Sequence, residues 1–301
     1  MNETVMRRLA KPMLLAAALI WGSSFFMMKG AVDVLPTFYL LAIRFTGGAV
    51  LLSLVCWKKW RFFTRDYLWR GAVIGFCLWA AYSVQTFGIM WTTPSNNAFL
   101  TAVYCVLVPF FYWAVMKRKP DRYNILAAVL CVAGVGLVSI SGGFHMALGD
   151  LLTLIGAVFY ALHIVAVAKV SPGKDIYLLT VFQFAFAALY AWIGGLLFQE
   201  FPGLSVFSRD MMIQLAYLTV MCTTVALLFQ NVGQVWSDPA SAAILLSLES
   251  VFGVIFSVIC YGDPVTPRLV AGFTLIFVAV VCSETKFSFL RRKSIPKEAE
   301  V

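Results

Sequence analysis

Stretches of about twenty apolar residues recur from one end of this chain to the other, each long enough to cross a bilayer as a helix. In hydrocarbon every backbone N–H and C=O must find its partner within the protein, which leaves helices or a closed barrel. Barrel strands alternate apolar and polar residues at period two, and these runs do not. The expected fold class is therefore an all-α polytopic membrane protein. Ten transmembrane helices are expected, near 11–30, 37–57, 69–90, 95–116, 122–141, 149–168, 176–198, 211–231, 239–261 and 267–286. Composition agrees: 61% of the 301 residues are hydrophobic and 12% charged, whereas a soluble domain is about a quarter charged. The connections are short, the longest being 58–68 and 199–210, and 287–301 reads as a basic, solvated cytoplasmic tail.

Charge sets the expected orientation. With the N-terminus inside, 19 of the 23 Lys and Arg fall in cytoplasmic segments; Lys29, Arg209 and Arg268 lie outside, and Arg44 within a span. That bias puts both termini in the cytoplasm. It also accounts for the net charge of +9 without nucleic acid as a partner. Trp57, Trp60, Trp69, Trp91 and Trp113 sit near span ends, where an interfacial belt would put them. The seven Cys lie in or beside apolar runs, with no metal-ligand spacing, and read as small packing residues; no cofactor is expected. Residues 7–28 have a basic start and an apolar run but no clear cleavage site, so a retained first helix is expected.

An internal repeat orders the spans. Advancing residues 85–100 by 145 positions aligns Gln85 with Gln230, Gly88 with Gly233, Trp91 with Trp236, Pro94 with Pro239, Ala98 with Ala243 and Leu100 with Leu245. A shift of 139 relates the earlier spans more weakly, setting Trp21 on Tyr160, Ser24 on His163, Arg44 on Gln183 and Phe45 on Phe184. Two five-helix halves are expected, 11–141 and 149–286. Five is odd, so the copies would enter the membrane from opposite sides. Inverted repeats of this kind characterise secondary transporters, whose substrate site lies near the midplane between the halves.

Ionisable residues at membrane depth are costly and usually functional. Glu249 lies near the centre of the ninth span, with Ala242, Leu246 and Gly253 on its face and Ser250 beside it. Its candidate partners are Arg44, a substrate amine or a proton, and Arg44 with Glu249 is a candidate gating ion pair. The candidate substrate-binding set adds Trp21, then Trp79 and Tyr82 on a face with Thr86, and Gln85 beside them. Asn97, Thr101 and Tyr104 share a face of the fourth span; His163 and Gln230 complete the set. Tyr104 occupies the repeat position of Glu249. Such amides, hydroxyls and rings suit a polar or amphipathic small molecule. Gly71 and Gly75 form a GxxxG match, read as intrachain packing. Pro109 predicts a kink in the fourth span, and Asp150 a helix cap or dipole partner. No HExxH, P-loop or GxSxG occurs.

The pattern resembles the EamA-type permeases of the drug/metabolite transporter superfamily, over residues 12–286. Trp21-Gly22-Ser23-Ser24-Phe25 is similar to that family's first-helix motif, and Pro36 with Arg44-Phe45 to its second. Leu248-Glu249-Ser250-Val251 with Gly262-Asp263-Pro264 resembles its pair of motifs around the ninth helix, Ser250 and Asp263 standing where the family has Pro and Glu. The resemblance implies a prokaryotic inner-membrane carrier, most often an exporter of amino acids or related metabolites, with a cavity lined by spans 1, 3, 4, 6, 8 and 9. It leaves substrate, coupling ion and the choice of monomer or dimer open. The competing readings are a membrane enzyme acting on a lipid-linked substrate, which would place its polar residues at the interface instead of the midplane, and a non-transporting sensor subunit.

Overall fold

The computed structural model describes residues 3–117, 119–141, 145–237 and 239–286. The proposed tail, 287–301, lies outside the described residues. The helices are α1 (Glu3–Val32), α2 (Thr37–Val55), α3 (Asp66–Met90), α4 (Pro94–Thr101), α5 (Tyr104–Met116), α6 (Arg122–Ser139), α7 (Leu148–Val170) and α8 (Ile176–Phe198). There follow α9 (Arg209–Tyr217), α10 (Ala226–Trp236), α11 (Pro239–Phe256) and α12 (Pro267–Thr285). A two-residue antiparallel pair, Ile140–Ser141 with His145–Met146, joins α6 to α7. Eight helical stretches among the described residues are long and apolar enough to cross a membrane; α4 with α5, and α9 with the first part of α10, each count as one. Two shorter apolar helices follow, Leu245–Tyr261 and Pro267–Ser283. The protein is thus a polytopic α-helical membrane protein.

Three of these stretches are not uniform helix. The fourth expected span breaks at Ala102 and Val103, about two turns before the predicted kink at Pro109, which lies inside α5. π-helical turns occupy Leu218–Val225, between α9 and α10, and Ser257–Tyr261, after α11.

Packing is closest where side chains are smallest. A Cβ on Gly22 of α1 would collide with Phe252 and the Gly253 backbone of α11, and one on Gly253 would lie 2.6 Å from Ala98 Cβ of α4. This close approach brings α1, α4 and α11 together around Glu249. The GxxxG pair also packs within the chain: Gly71 and Gly75 of α3 face Phe182, Gln183 and Phe186 of α8. Aromatic and aliphatic side chains fill the rest, with Phe45 stacked near Phe184 and Phe99 on Phe273 at 4.3 Å between centroids. Five of the seven Cys are buried in this packing. Large apolar residues such as Val132, Leu196 and Phe198 face outward, as a lipid-solvated surface requires.

Polar ties cross both ends of the bundle. At one, Lys29 Nζ donates to the carbonyls of Ile89 and Met90, closing the C-terminus of α3. Nearby, Asp150 accepts from Thr92, and Asp263 accepts from the Ser95 amide at the start of α4. The Gly-Asp-Pro element after α11 thus caps a helix beside its own. At the other end Lys59 meets Asp175 at 2.6 Å, Lys174 meets Asp66 at 3.1 Å, and Arg70 donates to the Val170 carbonyl. The hydrogen bond that Lys59 donates to Asp175 holds its ammonium charged to higher pH than usual.

Gly22→Leu should destabilise the protein by about 1–3 kcal/mol, the usual range for overpacking. Its melting midpoint in detergent should fall, while that of Leu196→Ala on the outer surface stays near wild type. Equal midpoints for Gly22→Leu and wild type would show that the α1–α11 contact yields without cost.

Candidate functional site

One cavity lies inside the bundle, with a free volume of about 70 Å³. That is room for a few waters, since one needs roughly 10–15 Å³. Nine of the ten residues expected to bind substrate line it: Trp21, Tyr82, Gln85, Asn97, Thr101, Tyr104, His163, Gln230 and Glu249. Both members of the expected gating pair, Arg44 and Glu249, are also in the wall. The walls come from α1, α3, α4, α5, α7, α10 and α11, with Arg44 reaching in from α2.

Trp79 is the exception. Its ring packs among Phe38, Phe76 and Tyr190, on the side of α3 that meets α2 and α8. The residues of α3 that reach the cavity are Leu78, Tyr82, Gln85 and Ile89, with Thr86 beside them. That stripe has helical spacing one residue out of phase with the predicted Trp79 face.

Arg44 is buried, 2% exposed. Its Nε and Nη2 donate to Thr223 Oγ1 at 3.2 and 3.1 Å, and Nη1 points to Met28 Sδ at 2.8 Å. Its guanidinium lies over the Tyr82 ring at 5.4 Å, close enough for a cation–π contact. Three of its five N–H groups are thus used, all on neutral acceptors. The π-helical turn explains why Thr223 serves. Its hydroxyl donates to the Leu218 carbonyl five residues back, at 2.9 Å, which leaves its lone pairs for Arg44.

Glu249 is buried and hydrogen-bonded to the Tyr104 hydroxyl. No ion pair joins Arg44 to Glu249 among the described residues; three tyrosines lie between them. Tyr82 lies edge-on to Tyr160 at 5.4 Å, and Tyr160 is 6.0 Å from Tyr104. Tyr160 also donates to Gln85 Oε1, and Gln85 Nε2 donates to Thr101, each at 2.8 Å. Asn97 donates to Thr153 at 2.7 Å. Two buried acceptors or donors on this wall have no protein partner among the described residues, Asn97 Oδ1 and His163 Nε2.

Tyr160 was absent from the predicted set although it had a signal, and Thr223 is a polar residue that the sequence pairs with Gln230 on one face. The weaker repeat sets Tyr160 against Trp21, and Thr223 falls seven residues before Gln230. Asn231, beside Gln230, turns away to Thr180 of α8.

A bundle of membrane-length helices around a buried polar cavity is the form of a membrane transporter. The model of the EamA-like transporter family matches the chain twice, over residues 9–140 and 147–285. The chain belongs to that family. It is 32% identical over 280 residues to an uncharacterized transporter of Archaeoglobus fulgidus, covering 93% of this chain and 87% of that one. It is 24% identical to the uncharacterized transporter YvbV of Bacillus subtilis, over 89% of each. A solved crystal structure aligns over 94% of this chain and 98% of its own length, with a TM-score of 0.68 and 17% identity, a likeness of fold. Family and relatives point to a transporter and not to an enzyme.

Thr223→Val keeps the shape at Arg44 but removes the acceptor of two charged N–H groups. It should cost about 1.5–3 kcal/mol, seen as a lowered melting midpoint. An unchanged midpoint would mean that Arg44 finds another acceptor in the cavity.

Proposed function

We propose that this protein is an alternating-access secondary transporter of small amphipathic metabolites, and that its preferred class is amino acids, moved outward across the plasma membrane of a prokaryote. The observation that carries the reading is a buried basic residue and a buried acidic residue that line one cavity with no ion pair between them among the described residues. An amino acid carries the counter-charge for each, a carboxylate for the spare N–H groups of Arg44 and an ammonium for Glu249; since both charges sit on one carbon, rocking of the halves must widen the cavity and bring the two residues together around it. The tyrosines between them pack against its apolar part, and Asn97 Oδ1 and His163 Nε2 take remaining hydrogen bonds. In the absence of substrate a proton on Glu249 serves in place of the ammonium.

On this reading the two shorter helices are spans nine and ten, and the halves 11–141 and 149–286 are inverted copies. The double match of the family model supports two copies. So do the packing pairs, since α2 packs on α8 and α6 on α12, the pairs that a two-fold axis would map onto themselves. Both termini are cytoplasmic. The ties Lys59–Asp175 and Lys174–Asp66 then close the inner end, those of Asp150 to Thr92 and Asp263 to Ser95 close the outer end, and rocking of the halves breaks one set at a time.

Counterflow of radiolabelled amino acids in proteoliposomes tests the substrate class. Glu249→Gln should lower exchange by roughly tenfold or more, the loss expected with one charge-assisted hydrogen bond of about 1.5–3 kcal/mol. Its level in the membrane should stay at wild type. Normal exchange by well-expressed Glu249→Gln would remove Glu249 from the site, and absence of exchange for every amino acid would remove the substrate class. A single cysteine replacing Arg61 should react with an impermeant maleimide only from the cytoplasmic side; reaction from outside would reverse the topology.

A further inference from the structure

The connection between α2 and α3 combines positive charge with exposed aromatic surface. Trp57–Phe62 forms a 3₁₀ turn, in which side chains three apart eclipse one another. Trp60 and the following Phe63 rest on Phe182 of α8, with ring centroids 5.6 and 5.3 Å away, and Trp60 Nε1 donates to Ser53. That row anchors the turn. The next row, Lys58 and Arg61, is exposed, as are the rings of Trp57 and Phe62. Lys58 lies over Trp57 at 5.6 Å and Arg61 over Phe62 at 4.7 Å. The carboxylates nearby are already engaged, Asp175 by Lys59 and Asp66 by Lys174. Lys58, Arg61 and Arg65 have no ion-pair partner among the described residues. Beside the turn a recess of about 450 Å³ opens between Phe62, Thr64 and Tyr67 on one side and Gly173, Lys174 and Asp175 on the other.

We propose that this turn is a binding site for the phosphodiester headgroup of an anionic phospholipid in the adjoining leaflet. It follows directly on α2, a membrane-length helix, so its exposed rings stand at the boundary between headgroup and acyl chain, where Trp is favoured. Lys58 and Arg61 hold the phosphate between them. Arg65 extends the positive edge, and the recess accepts the polar remainder of the headgroup. A soluble acidic partner would match the charges alone; a lipid matches the charges and the rings together. The site needs only the membrane placement of α2 and stands apart from the transport cavity.

Native mass spectrometry of the full chain, delipidated and then titrated with phosphatidylglycerol or phosphatidylcholine, tests the proposal. Wild type should retain phosphatidylglycerol in preference, and each cation removed should cost roughly fivefold in that preference. The triple variant Lys58→Gln/Arg61→Gln/Arg65→Gln should therefore lose it, while Lys117→Gln/Lys119→Gln/Arg122→Gln, in the next basic connection, keeps it. Equal loss in both triples, or undiminished preference in the first, would overturn the site. Should the first triple fail to fold, a photoactivatable phosphatidylglycerol applied to wild type decides instead. Crosslinks within 57–65 support the site, and crosslinks elsewhere alone refute it.

Discussion

The cavity wall depends on a guanidinium that has no carboxylate partner among the described residues. Arg44 is among the largest fully buried side chains of the protein, and its contacts are a hydroxyl, a thioether and an aromatic face. Removing a charge from water without a counter-charge costs several kcal/mol, so each of these neutral contacts matters. Thr223 can accept twice because its own proton goes to Leu218 across a π-helical turn. The irregular backbone therefore belongs to the electrostatics of Arg44. A regular helix would offer Thr223 a carbonyl four residues back and turn its hydroxyl elsewhere.

One other irregularity also falls beside cavity residues. The break at Ala102 and Val103 lies between Thr101 and Tyr104, and both of these line the cavity on either side of it. Glu249 sits in a regular stretch of α11, pressed against α1 and α4 by Gly22 and Gly253, and helix π-turns begin only at Ser257. Close packing holds the carboxylate in place, while looser backbone positions its neighbours. This division suits the site proposed above, since rigid contacts orient a ligand and local helix defects are frequent where function requires movement.

The spans were legible because hydrocarbon permits so few backbone arrangements: α2, α3 and α8 begin or end within a few residues of where hydropathy alone sets them. Polar residues in apolar runs were equally legible as a group, and nine of those named meet in one cavity. Phase was not. Trp79 and Leu78 are adjacent, and a Trp within an aromatic-rich helix is as well satisfied by Phe38 and Tyr190 as by a ligand. The π-turn was not legible either, because Leu218–Val225 contains nothing that a regular helix would refuse. Tyr160 was hidden for a different reason. Read singly it is one more aromatic residue of a membrane helix, and only its contacts with Tyr82, Tyr104 and Gln85 give it a place in the site.

On the proposed repeat, Tyr104 and Glu249 are equivalent positions, and they are hydrogen-bonded to each other. Arg44 and Gln183 are equivalent in the same sense, and Gln183 lies beside His163 as Arg44 lies beside Met28. Each pair joins a charged residue to a neutral one. Two carboxylates meeting where Tyr104 and Glu249 meet would repel, and two guanidiniums would double a desolvation cost already hard to offset. On the proposed repeat, the divergence at these positions leaves one acidic residue, Glu249, and one basic residue, Arg44, in the cavity wall, with three tyrosine rings between them.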